Sequence, residues 1–469
     1  MEEINRSGRW WIPSNPDLQV SGNLTFSESE GTRLQLIGSL SSEAQMFAQE
    51  AVPLIHGVTA QGERVTLTDG VSSVSLSFPG IPTQKLSAQS LFIGAHLEDP
   101  TTSKFCRILL RCTYLLEWAN RYGISESFPV PRDPAKPAVE LAYKFPDEVK
   151  IATGRGTVTV TYTLHQEGDL RSNVGLRHTT WLQLDHATGL SVAEWEQQFL
   201  RPLTTLLTLA SGRPSFVLEQ QLIVDAESEN PDDKRAIKLF YRTGENSVGV
   251  TSSRPVRMDM LFTLSDLEPN PSIAVDSWFR TAEMLDSVCG LFFGVYYNPR
   301  MFVEQRFLSM VSALESYHRR RIRNAAVSDR KHSERIDAII DKAPPKYRKW
   351  LRYRLRYSNE PDLRQRLKDL ADRAPLLMNQ LIPDGKDVKR FLDKVAATRN
   401  YYTHYDVSLR YRAARAGDSL YWGSEILGIL LTDCLLSELA IPPETRAQRI
   451  RERPNHPMIA KGVRRFLEA

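Results

Sequence analysis

The sequence predicts an α+β multidomain chain, with a β-rich amino-terminal half carrying a few helices, followed by an all-α helical bundle. Three observations carry that reading. Short alternating runs, punctuated by glycine, proline and serine, fill most of residues 9–98, 156–184 and 214–265. Beyond residue 272 the apolar period changes from two to 3.6. Charge changes with it: residues 301–469 hold 34 Lys+Arg against 21 Asp+Glu, a net of +13, whereas residues 1–300 hold 26 against 35, a net of −9.

In chain order, Gly22–Phe26 (GNLTF), Arg33–Ile37 and Arg64–Thr68 read as strands. Ser103–Tyr122 places Phe105, Ile108, Leu109, Cys112, Leu115 and Leu116 at helical spacing, and a helix there is expected to close a first β-rich subdomain, residues 1–125. A second, residues 126–270, holds the strands Gly156–Leu164 and Thr179–Leu184 and a helix over Ser191–Leu209 that Pro202 should kink or split. The prolines, Asn and Ser of SDLEPNPS (265–272) mark its end. Residues 271–445 are expected to be helical, in segments Ala274–Tyr297, Met301–Arg323, Ser333–Lys342, Pro345–Tyr357, Asp362–Ile382, Asp387–Tyr405 and Ser419–Leu439. The last is apolar on nearly all sides, as a central bundle helix is. Residues 446–469 read as a basic carboxyl-terminal tail.

At 469 residues the chain is too long for one core. No run approaches the eighteen or more uncharged apolar residues of a membrane span, so no membrane partner and a cytoplasmic location are expected. Cys106, Cys112, Cys289 and Cys434 show no CxxC spacing and read as small buried hydrophobes in a reducing compartment. The signatures of phosphate-binding loops, dinucleotide turns, zinc-protease helices and nucleophile elbows are absent. Glu148 and Lys150 in PDEVK have the carboxylate-x-lysine spacing of many Mg²⁺ nucleases. With only Asp133 upstream as a second carboxylate, a charged turn is expected there, with no metal and no cofactor.

The +13 third is the candidate polyanion binder. Between Arg319 and Arg356 it carries 14 Lys+Arg against four acids, with Tyr347, Trp350, Tyr353 and Tyr357 interleaved. Arginine pairs with phosphate and aromatics stack on unpaired bases, which suits RNA. Arg319, Arg320, Arg321, Arg323, Arg352 and Arg356 are the candidate contacts. The competing reading is a solvated helix face whose aromatics, at spacings i, i+3 and i+7, point into the bundle.

Within RNYYTH (399–404), Arg399 and His404 form one of four Arg/His pairs separated by four to six residues. Only this Arg is followed by Asn, and only this pair follows an amphipathic helix in the basic region. Val388, Phe391, Leu392, Val395, Arg399 and Tyr402 fall on one stripe, so Arg399 stands where an apolar residue belongs. A guanidinium there needs an anion, either an acid such as Glu315 or a phosphate from outside. Five helical residues turn about 500°, leaving His404 roughly 140° from Arg399, whereas Asn400 and His404 share a face. Either the helix ends within Tyr402–Tyr405, or a second copy supplies part of the site. Histidine as proton carrier and arginine as charge stabiliser are what RNA cleavage through its own 2′-hydroxyl requires.

RNYYTH matches the R-[polar]-x-x-x-H motif of HEPN domains, helical bundles many of which are metal-independent ribonucleases acting as dimers. MFVEQRFLSMVSALESYHRR (301–320) resembles the LE-x-Y-H segment of the ApeA-type branch, and GRWWIP (8–13), GNLTF (22–26), IHG (55–57) and LLEWANRYG (115–123) resemble the ApeA amino-terminal domain. The resemblance implies an anti-phage effector that cleaves RNA, with the tRNA anticodon loop as expected target, leaves 2′,3′-cyclic phosphate and 5′-hydroxyl ends, and blocks translation. It implies Arg399, Asn400 and His404 as catalytic residues, Glu315, His318 and Tyr405 as supporting ones, no cofactor, a homodimer or higher oligomer, and a β-rich half that senses an infection signal such as a phage protein. The alternative is a non-catalytic RNA-binding or adaptor protein using the basic bundle.

Overall fold

The computed structural model describes residues 2–40, 50–75, 80–128, 139–169, 171–225, 234–242, 259–322, 327–415 and 417–468. The chain forms two compact units, Met1–Phe279 and Arg280–Ala469.

In the first unit, β1 (Ile4–Ile12), β2 (Asn15–Ser27), β3 (Gly31–Ile37), β4 (Glu50–Thr59), β5 (Arg64–Ser75) and β6 (Thr83–Ala88) pair antiparallel in the order β5-β4-β1-β2-β3-β6. A β6–β5 pairing closes the ring into a six-stranded barrel. Alternation fills it: Leu34 and Leu36 point inward with Trp10, Leu24, Phe26, Ile55 and Leu86, while Arg33 and Gln35 face water. Gly57 is required here, because a Cβ would lie 2.1 Å from the ring of Trp10, its register partner on β1. The Trp10 indole N–H donates to Gly22 O at 3.3 Å. GRWWIP, GNLTF and IHG thus meet around one tryptophan on three adjacent strands.

The sheet continues through β7 (Ser90–Ile93), β8 (Phe105–Cys112), β11 (Val149–Thr153), β12 (Gly156–Asp169), β13 (Asn173–Leu190), β14 (Val217–Asp225) and β15 (Lys234–Tyr241), ordered β7-β15-β14-β8-β13-β12-β11; β9 (Ile124–Ser127) and β10 (Glu140–Tyr143) form a separate hairpin. The helix expected over Ser103–Tyr122 is instead β8 followed by the short α1 (Leu115–Ala119). Ile108, Leu110 and Cys112 are buried at period two, and the arginines beside them pair across the sheet, Arg107 with Asp185 at 2.5 Å and Arg111 with Glu219 at 3.2 Å. A short apolar run satisfies both periods, and only its partners decide. Since β8 pairs with β13 and β14, the sheet runs uninterrupted past residue 125. Of the cysteines, Cys112, Cys289 and Cys434 are buried as expected, but Cys106 is exposed.

The expected helix over Ser191–Leu209 is α2 (Val192–Trp195), a π-helical turn (Glu196–Leu200) and α3 (Arg201–Ser211), with Pro202 in the first turn of α3, where its missing N–H costs nothing. α4 (Pro271–Met284) spans the division between the units.

The second unit continues with α5 (Asp286–Tyr297), α6 (Val303–Arg321), α7 (Asp329–Lys342), α8 (Pro345–Leu355), α9 (Leu363–Arg373), α10 (Pro375–Leu381), α11 (Gly385–His404), α12 (Gly417–Glu438), α13 (Pro443–Glu452) and α14 (His456–Glu468). Two expected helices are divided, at Leu285 and at Ala374 before Pro375. α12 is the one described helix long and apolar enough to cross a membrane, and 83% of that apolar window is buried inside the protein.

The residues expected as a tail are instead α14 and most of α13. Ile459, Val463 and Phe466 give α14 an apolar stripe that docks on α12. The seam is reciprocal: a Cβ on Gly462 would lie 2.3 Å from the Trp422 ring, and one on Gly423 would lie 2.6 Å from the Phe466 ring. Phe466 also lies 5.2 Å from Phe391 of α11 and 6.4 Å from Phe307 of α6. Phe466→Ala should therefore cost the helical unit about 3–5 kcal/mol, and Gly423→Ala about 1–3 kcal/mol through overpacking. Urea unfolding followed by far-UV circular dichroism would show both, and midpoints equal to wild type would refute the seam.

Candidate active site

α11 opens at Asp384, whose side chain accepts the Lys386 N–H at 2.8 Å, and ends at His404. Tyr405 then turns left-handed at φ 49° and donates its N–H to Tyr401 O at 2.6 Å. Phe391, Leu392, Val395 and Thr398 form the buried side. Thr398 Oγ1 donates to Lys394 O at 2.7 Å and accepts the Ala414 N–H at 2.9 Å, so one hydroxyl ties the segment after the motif back to the helix.

Arg399 follows on the edge of that stripe, with 32% of its side chain exposed. Its Nη1 donates to Asn400 Oδ1 at 3.0 Å, and its Nη2 lies 3.6 Å from Glu315 Oε2 of α6. The acid required by the apolar stripe is thus the one named from sequence. Glu315 also faces Arg319 at 3.6 Å, and Arg319 faces Glu360 at 3.4 Å.

Behind this surface the network continues inward. Glu360 accepts from Arg366 Nη2 at 2.8 Å, and Arg366, almost wholly buried on α9, points Nη1 at His318 Nδ1 from 3.4 Å. Guanidinium only donates, so Nδ1 must carry the lone pair and Nε2 the proton. That proton goes to Asp369 Oδ2 at 2.9 Å, and Gln365 donates to the other carboxylate oxygen at 2.7 Å. His318 is therefore fully buried with both nitrogens occupied, which suits positioning α6 against α9.

Sequence reasoning missed Arg366 and Asp369. Arg366 announces itself as Arg399 does, by standing beside Leu367 and Leu370 on the buried stripe of α9.

His404 lies at the exposed end of α11, as do Thr403 and Tyr405. Asp406, next along, is held below the usual carboxylate range, first by the Ser408 hydroxyl and N–H, with His404 adding the smallest contribution. All of residues 399–404 are helical, so the offset of about 140° between Arg399 and His404 stands. One chain brings together Arg399, Asn400 and Glu315, and places His404 around the corner.

Of the candidate RNA contacts, Arg320 donates to the Met284 carbonyl and Arg321 pairs with Glu438 of α12, so both tie the bundle together. Arg352 pairs with Asp337 at 3.1 Å, and Arg356 lies over the Tyr357 ring at 5.3 Å. Arg323 and Asp133 lie outside the described residues. Glu148 accepts from Thr161 Oγ1 at 2.5 Å across the β11–β12 hairpin, as a charged turn residue would. Among the described residues no three His, Cys, Asp or Glu side chains cluster as metal ligands.

His318→Ala removes one buried hydrogen-bond partner from each of Asp369 and Arg366 and should cost about 1–3 kcal/mol. His404→Ala removes an exposed ring and should stay within about 0.5 kcal/mol of wild type. Paired urea titrations separate the two, and equal midpoints would refute the assignment of buried and exposed roles.

Compared with known proteins, the chain matches the family described as ApeA N-terminal domain 1 over residues 5–278 and the family described as Apea-like HEPN over residues 308–445. No curated protein and no solved structure matches it. The second match contains α11 with its motif and the α6 residues that face it. With both halves matched in order, the chain belongs to the ApeA family of HEPN-domain proteins.

Proposed function

We propose that the chain is a metal-independent endoribonuclease of anti-phage defence, in which Arg399, Asn400 and His404 cleave RNA and tRNA is the preferred substrate. The ApeA-like HEPN match supports an anti-phage nuclease family. The observation that carries the reading is the state of Arg399. It is anchored by Glu315 and Asn400 without being buried, so its guanidinium stays partly exposed with donors to spare.

The chemistry follows from what RNA brings. A 2′-hydroxyl attacks its own phosphate when a base takes its proton, and the departing 5′-oxygen needs a proton in return. His404 fills either role near neutral pH. Arg399 stabilises the charge that grows on the phosphorane. Asn400, one turn before His404 on the same face, holds the phosphate or the imidazole in line. Products are a 2′,3′-cyclic phosphate and a 5′-hydroxyl.

The roughly 140° between Arg399 and His404 is resolved by a two-fold dimer that sets each Arg399 against its partner's His404. Tyr405, Val407 and Tyr411, all exposed around the motif, are the side chains such packing would cover. Uncontrolled cleavage would harm the host, so the β-rich unit serves as the sensor that licenses the nuclease.

With total tRNA in EDTA, wild type should release fragments bearing 2′,3′-cyclic phosphate. His404→Ala should lower kcat about 10²- to 10⁴-fold and Arg399→Ala about 10²- to 10³-fold. Full activity in either variant sinks the reading. Mixing the two inactive variants tests the shared site separately: a composite site regains activity in mixed dimers, whereas sites complete within each chain stay dead.

A further inference from the structure

Residues 327–359 form an arm. α7 and α8 pack chiefly on each other, and Asn359 closes the base by accepting the Val327 N–H at 3.0 Å and donating to Val327 O at 2.8 Å. Leu351 and Leu355, one turn apart, are the partly covered positions of α8, and no residue of this helix is buried. The aromatics therefore do not face a core. Tyr347 is 49% exposed, Trp350 57%, Tyr353 73% and, just past the helix, Tyr357 62%. This sets aside the competing reading in which their spacing turns them into the bundle.

On a helix, Tyr347, Trp350 and Tyr353 span an arc of about 120°, with Lys346 and Arg354 inside it. Lys346 lies over the Tyr347 ring at 4.8 Å. The opposite side of α8 places Arg352 and Arg356, with Lys349 about 40° from Tyr353 at the edge of the aromatic arc, along a cleft of about 390 Å³ shared with His332, Ile336 and Asp337 of α7. Four large aromatics in water are costly for a soluble surface unless something stacks on them. From Asp329 to Arg356 the arm holds ten Lys+Arg against the four acids Asp329, Glu334, Asp337 and Asp341, so its occupant is an anion.

We propose that the α7–α8 arm is a docking platform for single-stranded RNA, on which Trp350, Tyr353 and Tyr357 stack unpaired bases while Lys346, Lys349 and Arg354 meet the phosphates. It rests on the reading of the chain as one that acts on RNA. Stacking is sequence-tolerant, so the platform selects unpaired segments rather than particular bases. A loop of a folded RNA fits it and a continuous duplex does not, because paired bases hide their faces. The arm thus gives the nuclease a grip on its substrate separate from the atoms that cut it.

The test uses full-length protein carrying His404→Ala, which holds RNA uncut, with an unstructured fifteen-nucleotide RNA and a duplex of equal length as probes. Trp350→Ala, Tyr353→Ala and Tyr357→Ala together should weaken single-strand binding at least about tenfold and leave duplex binding within about twofold. Phe at the same three positions should restore it, which a misfolded arm would not allow. Replacing Lys346, Lys349 and Arg354 with Gln should reduce the slope of log affinity against log salt by about two. In otherwise wild-type protein, the alanine set should raise KM for tRNA with kcat at saturation little changed.

Unchanged single-strand affinity overturns the proposal. So does a shift in oligomeric state at unchanged affinity, which would make the arm a protein interface. If the arm variants bind and cleave as wild type while His404→Ala is inactive, the platform falls and the nuclease stands. If single-strand binding needs the arm but cleavage is indifferent to His404, the nuclease falls and the platform stands.

Discussion

The ring of Phe466 lies in the seat that Gly423 leaves open on α12, 5.2 Å from Phe391 of α11 and 6.4 Å from Phe307 of α6. It is fully buried, and it touches the three helices on which the site depends. A guanidinium and a carboxylate on different helices meet only if the helix axes are fixed to fractions of an ångström, because packed interiors transmit displacement rather than absorb it. The separation between Arg399 and Glu315 is therefore set some distance away, by glycine-to-aromatic contacts at the end of the chain. A segment that reads as a polar tail is in this sense the keystone of the bundle.

The same bundle places cations where apolar residues belong, and it does so three times with different outcomes. Arg446 is buried and paired with Asp433 at 2.8 Å, Arg366 is buried among Glu360, Pro361 and His318, and Arg399 stops at the edge. Burying a charge is tolerated only with full hydrogen bonding, and the first two satisfy that condition inside the protein. Arg399 has a single acid, shared with Arg319, and an amide. What distinguishes Arg399 from the two buried arginines is how many of its five donors the fold consumes.

Much of this was legible in the chain itself. The change of period near residue 272 and the charge asymmetry marked the helical unit, and the apolar stripe of α11 singled out Arg399 and even named Glu315. β8 was not legible, because eight residues satisfy both periods and the deciding partners, Asp185 and Glu219, lie about 80 and 110 positions away. α14 was hidden by its charge: HPMIAKGVRRFLE places only four buried residues among polar ones, and the stripe makes sense only once Trp422 and Gly423 stand opposite it. The direction of the α8 aromatics was left open for a related reason. Their spacing describes a stripe, and a stripe does not say whether protein or solvent lies in front of it.

The geometry of α11 also bears on control. Were Arg399 and His404 aimed at one point within a single chain, the proposed nuclease would be competent whenever it folded. Because the helix stays regular through His404 before Tyr405 turns left-handed, the two side chains diverge within one chain. If, as proposed, a second copy completes the site, a small rotation between copies would move both halves of it at once. Controlling that rotation needs no change inside the core that Phe466 locks, only a bias on a surface contact. A sensor acting there would have to supply a few kcal/mol to move the population from mostly idle to mostly active, since each factor of ten costs about 1.4 kcal/mol.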